Sequence, residues 1–569
     1  MSTGAGIPRP GEFGDLPRIR KDGQYWQVPE SINRSIPTDT GTREYEKRPA
    51  SYDAMFIAAV ARNPLAEALV CGERRLSYAE LDALVEQTAC GLVQAGLRAG
   101  ERIAIMLDNR LEYIVANLAT IRAGGIAVPL GTRLGPMDVA HIVSHCTPTY
   151  AITASEWKER LPAGSAFRKT WIVGADADET LAANDKSLGS RDPTQPASFQ
   201  TLMATPSMSV AFPMVDENDT MMIVYTSGTT GKPKGACLTH RNFAHTCLHY
   251  LYALGIDTPQ RALLVVPGTH IAGFGPVISV TLCSGGTLVL MRDFKAGAVL
   301  QTLEREAITY TVMVPAMVKL CQMDPSLGLH DLAQWRYCIY GGAPMPEAAI
   351  QRFSAVLPGL EMVNAYGATE TCAVCTMMPS ELTPLAPASV GLVLECDDLL
   401  IVDERGEELP AGSSGELLVR GPNVFARYWN DPGATGSAFR DDFWRSGDIA
   451  MKDEAGRVYV LDRLKDMINR GGFKVFSAEV ENALLQHLGV SDCAVVGVPD
   501  PVLGERTFAL VQTRDANTTG EVLRDFLAAR IADYKRPDFW QVGTQPVPRN
   551  QNGKLQKAQV RELALRTLT

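Results

Sequence analysis

Residues Tyr225 to Gly235 read YTSGTTGKPKG, a loop of small hydroxylated residues, glycines and two lysines that follows the apolar run Met221-Met222-Ile223-Val224-Tyr225. Such a run reads as a buried strand that delivers the loop. The loop suits phosphate oxygens. Gly228 and Gly231 let backbone N–H groups approach an anion, Thr226, Ser227, Thr229 and Thr230 donate hydroxyl hydrogen bonds, and Lys232 and Lys234 bring positive charge. The spacing argues against a Walker A loop, because Gly231-Lys232 is followed by Pro233 and Thr226 stands where the first glycine belongs. A nucleotide polyphosphate is the ligand class implied, against the alternative of an ordinary Ser/Thr/Gly surface turn.

The elements that must position this loop alternate along the chain. From about Ser51 the pattern gives a helix with Met55, Ile57, Ala58 and Val60, then a helix around Tyr78 to Leu97. Strands are expected at Ile103–Leu107 and Ile126–Leu130 around a helix containing Tyr113, Ile114 and Leu118, and again at 263–266, 311–314 and 337–340. Alternation of this kind implies layered α/β subdomains with mostly parallel strands. Residues 389–462 change character, with short strands and the acidic turn DERGEELPAGSSGE, and read as a small β-rich subdomain. A charged turn at Asp462-Arg463-Leu464-Lys465-Asp466 is followed by Gly471-Gly472, a helix with Val480, Leu484, Leu485 and Leu488 on one face, and the strand Ala494–Val498. The expected organisation is an irregular arm at 1–50, a large body at 51–462 and an α+β C-terminal domain at 463–569 that is mobile about the charged turn.

Composition narrows the partners. With 569 residues and a formal net charge of −10, a general nucleic-acid binder is not expected. No run reaches the roughly 18 apolar residues of a membrane-spanning helix, and the start carries no apolar signal region, so a soluble cytoplasmic enzyme is the expectation. Twelve cysteines scattered through apolar runs suit reduced core thiols, and Cys372-Ala-Val-Cys375 reads as packing rather than a metal or redox pair. His245 and His249 stand one helical turn apart with no third ligand evident, and read as a helix face behind the phosphate loop. A homodimer is one of the oligomeric states left open.

Four further segments fall in order after the loop: YGATE at Tyr366 to Glu370, WRSGD at Trp444 to Asp448, DRLKDMINRGGFKVFSAEVE at Asp462 to Glu481, and PRNQNGKLQK at Pro548 to Lys557. Carrying these, the chain resembles, over roughly residues 51–560, the adenylate-forming superfamily of acyl- and aryl-CoA synthetases, peptide-synthetase adenylation domains and luciferases. The resemblance implies in-line attack of a carboxylate on the α-phosphate of ATP, with Mg2+ and cations neutralising the departing pyrophosphate. It assigns Glu370 to the metal and the Thr369 hydroxyl to the α-phosphate. Tyr366 offers a flat face for adenine, beside Ala365, Gly367 and Ala368, while Asp448 offers two oxygens for the ribose hydroxyls and Arg463 adds a ribose or phosphate contact. Lys554 is the expected catalytic lysine, bridging the substrate carboxylate and the α-phosphate, although Asn550 departs from the Thr or Ser usual in the family. For thioester formation with coenzyme A, the resemblance implies rotation about Lys465, replacing Lys554 by the segment Gly471, Gly472, Phe473 and Lys474, where glycines let a pantetheine arm pass.

His270 stands where the family places a residue between acyl pocket and thiol tunnel, the alternative being a packing histidine. Amino-acid-activating relatives carry an aspartate near that position, and this chain does not, so an uncharged acyl group is favoured. Gly341, Gly342, Ala343 and Asn364, with His270, Phe274 and Val277, are the expected acyl-pocket residues. Small residues at 341–343 leave volume for a medium or long fatty acid, or a bulky alicyclic or aromatic acid. The reaction expected is ATP-dependent carboxylate–CoA ligation, with loading of a separate carrier protein and a catalytically inactive nucleotide binder as the alternatives.

Overall fold

The computed structural model describes residues 33–39, 41–162, 164–165, 167–174, 196–207, 210–226, 232–343, 345, 347–515, 517–549 and 555–568. Contacts divide the chain into two units, Met1–Asp398 with Val419–Trp444, and Leu399–Leu418 with Arg445–Thr569. Strands grouped with the large body on sequence grounds, 445–462, therefore pack with the C-terminal residues, and a pivot at Lys465 remains an expectation.

The first unit carries two large sheets. One runs in the order 427–428, 234–239, 220–226, 126–129, 102–106, 150–154, 169–173 and 197–198, with parallel pairing through its middle and the antiparallel hairpin of Thr220–Thr226 with Lys234–Thr239 towards one side. The other has Glu361–Tyr366, Tyr337–Tyr340, Tyr310–Met313, Arg261–Leu264, Thr287–Leu290 and Glu67–Cys71 as a continuous parallel run, with antiparallel strands at both edges. This is the α/β layering that the alternating pattern requires.

Helix composition follows layer position. Leu111–Arg122 buries every residue but Glu112, and its sequence is apolar nearly all round, as a helix covered on all sides must be. Asn117 Nδ2 donates to the Tyr113 carbonyl at 2.7 Å and Thr120 Oγ1 to that of Ala116 at 2.6 Å, while Asn117 Oδ1 is buried without a partner among the described residues. Arg122, also buried, pairs with Asp53 at 3.0 Å and Asp82 at 2.7 Å, tying three helices together. Cores form around Val70, Leu263, Trp335, Tyr340 and Phe353 on the second sheet and around Met106, Val128, Ile142 and Ile223 on the first.

The second unit has strands at 399–402, 414–418, 445–452 and 458–463 in one sheet, the last two antiparallel, then a sheet ordered 473–475, 468–470, 504–513 and 490–500, with Phe539–Gly543 parallel to Gly504–Thr513. Helices Ser477–Leu484 and Gly520–Ala528 cover one face through Val480, Leu484, Leu523 and Leu527, and Lys557–Leu568 covers the other through Val560 and Ala564.

Two readings of the sequence need correction. The helix expected to present Leu485 and Leu488 ends at Leu484, and Leu488 is 91% exposed beyond it. The described part of the arm is ordered structure: Ser35–Pro37 pairs with Arg43–Tyr45, Tyr45 is buried, and Asn33 Nδ2 donates to the Tyr252 hydroxyl at 3.0 Å. Gly- and Pro-rich composition hid a three-residue hairpin too short to show periodicity. All twelve cysteines are free thiols, and all but Cys71 are buried.

Candidate active site

The hairpin fixes both ends of the glycine-rich loop. Thr226 faces Lys234 across the strands, and its hydroxyl donates to the Lys234 carbonyl at 3.4 Å, closing the neck. Ser227, Gly228, Thr229, Thr230 and Gly231 lie outside the described residues. Beneath the neck, His141 Nε2 donates to the Pro233 carbonyl at 3.0 Å and His145 Nδ1 is hydrogen-bonded to the Tyr225 hydroxyl at 2.8 Å, so the helix Pro136–Cys146 braces the loop on both sides.

One residue connects this loop to Glu370, the carboxylate expected to hold the metal. Tyr428 pairs with Ala236 as the next strand out, the Lys234 ammonium lies 5.1 Å from the centre of its ring, and its hydroxyl donates to Glu370 Oε1 at 2.7 Å. Burial and the adjacent Glu370 carboxylate push the Tyr428 phenol up, so it stays protonated and a donor at neutral pH. Sequence reasoning missed Tyr428, because only strand pairing between distant segments brings it here. Tyr428→Phe is expected to leave the fold intact and lower adenylation about tenfold through loosened positioning of Glu370, read as ATP consumption over a magnesium titration. An unchanged magnesium dependence would remove Tyr428 from that role.

Glu370 stands in the 3-10 turn Thr369–Thr371, beyond the carboxyl end of Glu361–Tyr366, the edge of an open parallel run where ligands of such sheets gather. Gly341, beyond the neighbouring strand, approaches so closely that a Cβ would lie 2.2 Å from the Ala365 carbonyl oxygen, and a Cβ on Gly367 would lie 2.3 Å from that of Ala373. Small residues are demanded here by the backbone itself. Cys372 and Ala373 hold φ of 48° and 96°, conformations unfavourable to side-chain-bearing residues. The turn is clamped from outside: Thr246 Oγ1 donates to the Cys372 carbonyl at 2.9 Å, and buried Asn423 Nδ2 to those of Thr371 at 3.2 Å and Val374 at 2.5 Å. Within it, the Ala368 N–H donates to Thr371 Oγ1 at 2.8 Å. Tyr366, Gly367 and Ala368 are half-buried, while Ala365, Thr369 and Glu370 are buried. Asn364 spends its amide on the Ser389 carbonyl at 3.0 Å, and Gly342 and Ala343 are exposed.

The residues present fit magnesium. Glu370 is a buried carboxylate with one oxygen held by Tyr428, and its other oxygen makes no hydrogen bond to the described residues. Magnesium is commonly held by one or two carboxylates plus substrate phosphates, so one fixed carboxylate near a phosphate loop suffices.

The segment after Arg261–Leu264 is held by residues far upstream. Asn109 Nδ2 donates to the carbonyls of Val266 and Met291 at 3.0 Å, its Oδ1 accepts from Gly268 N–H at 2.8 Å, and the Tyr113 hydroxyl donates to the Gly268 carbonyl at 2.7 Å. His270 caps the following turn, Nδ1 accepting from Ala272 N–H at 3.3 Å, and is half-buried. Phe274 and Val277 are fully buried, Phe274 between Tyr52 and Phe243 with ring centroids 5.9 and 5.5 Å away. Asn109→Ala is expected to cost about 2–4 kcal/mol, because it strands a buried N–H and two carbonyls, measurable by urea unfolding. A loss below about 1 kcal/mol would show that the segment holds itself.

In the second unit, Asp448 and Arg463 face each other across Phe443–Lys452 and Val458–Arg463, joined at 2.7 Å. Lys465 is exposed just beyond. Asp462 is anchored by the Ser477 hydroxyl at 2.6 Å, which in turn accepts from Lys557 Nζ at 2.6 Å. Gly471 and Gly472, at φ 59° and 87°, form the two-residue loop of the hairpin Ile468–Arg470 with Phe473–Val475, a geometry that requires positive φ twice. Lys474 on that hairpin is exposed. Lys554 lies outside the described residues; the pairing of Arg549 with Leu555 fixes the two ends of its loop, and Arg549 is held by Asp492 at 2.8 Å.

A family model described as AMP-binding enzyme matches residues 56–429, and one described as AMP-binding enzyme C-terminal domain matches residues 479–554. The chain is 35% identical over 500 residues to a feruloyl-CoA synthase of an Amycolatopsis species, covering 88% of this chain and 96% of that protein. It is 33% identical over 497 residues to an indoleacetate–CoA ligase of Aromatoleum aromaticum, covering 87% and 94%. Among solved structures, the o-succinylbenzoate–CoA synthetase of Bacillus subtilis in complex with its acyl-adenylate matches with a TM-score of 0.77 at 27% identity, over 89% of this chain and 97% of that one. The same enzyme in complex with ATP and magnesium matches with the same score over 89% and 98%.

Proposed function

Because the chain belongs to the AMP-binding enzyme family, we propose that it joins a carboxylic acid to coenzyme A with consumption of ATP, through an acyl-adenylate. The observation that carries this reading is the connected set Lys234, Tyr428 and Glu370, which ties the phosphate loop to the carboxylate suited to magnesium.

In the first half-reaction a substrate carboxylate oxygen attacks the α-phosphorus, and the bond to pyrophosphate breaks. Thr226 and the loop that follows hold the phosphates, the Thr369 hydroxyl donates to an α-phosphate oxygen, and Lys554 supplies positive charge to the carboxylate and α-phosphate. Glu370 would hold magnesium, which when bound would supply positive charge against the departing pyrophosphate. Asp448 exchanges its contact with Arg463 for the ribose hydroxyls, and Tyr366 stacks on adenine. In the second half-reaction the coenzyme A sulfur attacks the acyl carbon, the thiol proton leaves to solvent, and the bond to AMP breaks. Lys554 has no part in this step; the hairpin at Gly471 and Gly472 serves the pantetheine arm, after movement about Lys465.

The acid is proposed to be uncharged beyond its carboxylate, since residues 267–278 contain no acid to pair with a substrate ammonium. Aromatic acids come first, because feruloyl- and indoleacetate-activating enzymes are among the relatives, and fatty acids second. A reducing, cytoplasmic setting agrees with twelve free thiols. Among the described residues no helix is long and apolar enough to cross a membrane.

The test is AMP release from ATP and magnesium with ferulate, indoleacetate, benzoate, octanoate and palmitate, each with and without coenzyme A. The expected result is turnover with one acid class that depends on coenzyme A. Turnover indifferent to coenzyme A but stimulated by a phosphopantetheinyl carrier protein would favour carrier loading instead.

A further inference from the structure

The helix His240–Ala253 buries every residue but Arg241, yet carries three histidines, of which His240 is satisfied by accepting from Tyr52 N–H at 3.2 Å. His245 and His249 are 0% and 1% exposed, one turn apart; neither ring nitrogen of His245 has a partner among the described residues, and His249 is met by the Glu395 backbone, outside hydrogen-bond geometry. Two buried imidazoles left unsatisfied are costly, each forfeiting hydrogen bonds made to water in the unfolded chain. Packing alone does not repay this. Tyr45 stacks on His245 at 5.5 Å and meets His249 edge-on at 5.6 Å, which fills space around the rings and satisfies no nitrogen.

A third donor faces them. Cys396, from a segment distant in sequence, brings its sulfur to the histidines so that one ligand atom from each of the three residues lies within 4.8 Å of the others. Asp397 follows, its Oδ2 lying 3.9 Å from His249 Nδ1 and its Oδ1 buried without a partner. We propose that His245, His249 and Cys396 supply three ligands of a buried zinc site, a water completing the tetrahedron, with Asp397 beside His249. Imidazole with thiolate is a donor set suited to zinc and unsuited to magnesium or calcium. A cysteine thiolate and the Asp397 carboxylate together balance a divalent ion, making the buried cluster neutral. A carboxylate close to a histidine, as Asp397 is to His249, is a common outer partner of zinc-bound imidazole. Tetrahedral zinc at about 2.0–2.3 Å from each donor places donors about 3.3–3.7 Å apart, so the three side chains close in by roughly 1 Å on binding.

The site would brace the reaction centre without joining the chemistry. Asp397 Oδ2 accepts from Asn423 Nδ2 at 3.3 Å, and that amide holds the carbonyls of Thr371 and Val374 on either side of the strained residues after Glu370. Zinc would thereby pin the helix behind the phosphate hairpin to the clamp on the Glu370 turn.

The test is metal content of the full 569-residue chain, grown with added zinc or added cobalt because a fully buried site loads as the protein folds, then dialysed against chelator. The expected results are about one zinc per chain, and in the cobalt-grown protein a near-ultraviolet thiolate-to-cobalt charge-transfer band. Cys396→Ser is expected to abolish the band, whereas His141→Gln, in the other histidine pair at this spacing, retains it. Less than about 0.1 zinc per chain, copper in its place, or loss of metal in His141→Gln rather than Cys396→Ser would overturn the assignment. Should Cys396→Ser fail to fold, the band in the unsubstituted protein decides, since a site without a thiolate shows none.

Discussion

Lys554→Ala is expected to slow adenylate formation by about 10²- to 10³-fold, the size of effect found when a group stabilising transition-state charge is removed. Thioester formation from supplied acyl-adenylate and coenzyme A is expected to remain within roughly threefold of the parent enzyme. The asymmetry follows from where charge develops. In adenylation a carboxylate approaches a polyphosphate, two anions forced together, and a flexible ammonium between them favours the transition state over the ground state. In thioester formation the acyl carbon is attacked in a mixed anhydride and AMP leaves, a step in which the hairpin at Gly471 and Gly472 is assigned the work. Stopped-flow measurement of each half-reaction separately gives the comparison. Equal loss in both would mean that Lys554 serves a single arrangement throughout, and the assignment of two arrangements would fall.

Glu370→Gln is expected to lower adenylation by about 10²- to 10³-fold and to raise the magnesium concentration needed for half-maximal rate. Glutamine keeps the shape and an acceptor oxygen for the Tyr428 hydroxyl, so the turn held by Thr246 and Asn423 is expected to stay as it is. What disappears is the negative charge, and with it the hard-cation ligand. The comparison with Tyr428→Phe separates holding from ligating: the phenylalanine variant retains the charge and loses only its tether, so its defect is the smaller and excess magnesium recovers part of it. If Glu370→Gln kept its magnesium dependence unchanged, the metal would be held elsewhere, and the connected set of Lys234, Tyr428 and Glu370 would lose its meaning.

Local pattern was sufficient for the layered architecture and for most strands that end at the site. Tyr337–Tyr340 falls where the pattern put it, and the strand before the phosphate loop gained only Thr220 and Thr226 at its ends. These are short, continuous apolar runs, which a buried strand in a parallel sheet must be. The motifs that carry the family resemblance singled out Asp448 and Arg463, though not that they face each other in register. Pairing across strands was invisible. Tyr428, Asn109 and Asn423 act on residues remote in sequence, and nothing in their own neighbourhoods announces a partner. The same reason kept the buried histidines unexplained: their spacing was legible on one helix, but Cys396 and Asp397 come from another part of the fold. Composition misled at the arm, where the few residues that pair and dock are surrounded by glycine, proline and charge. At Gly471 and Gly472 the structure shows a hairpin turn that needs both glycines for its own geometry, which leaves their part in passing pantetheine to be measured.

The claim that everything else rests on is the acyl-adenylate. Acid-dependent exchange of labelled pyrophosphate into ATP, measured with magnesium and without coenzyme A, tests it most directly, because exchange requires that adenylate form and revert on the enzyme. Exchange that appears only with an accepted carboxylic acid is the expected result; a chain that makes acyl-CoA yet shows no exchange with that acid in the absence of coenzyme A would contradict it.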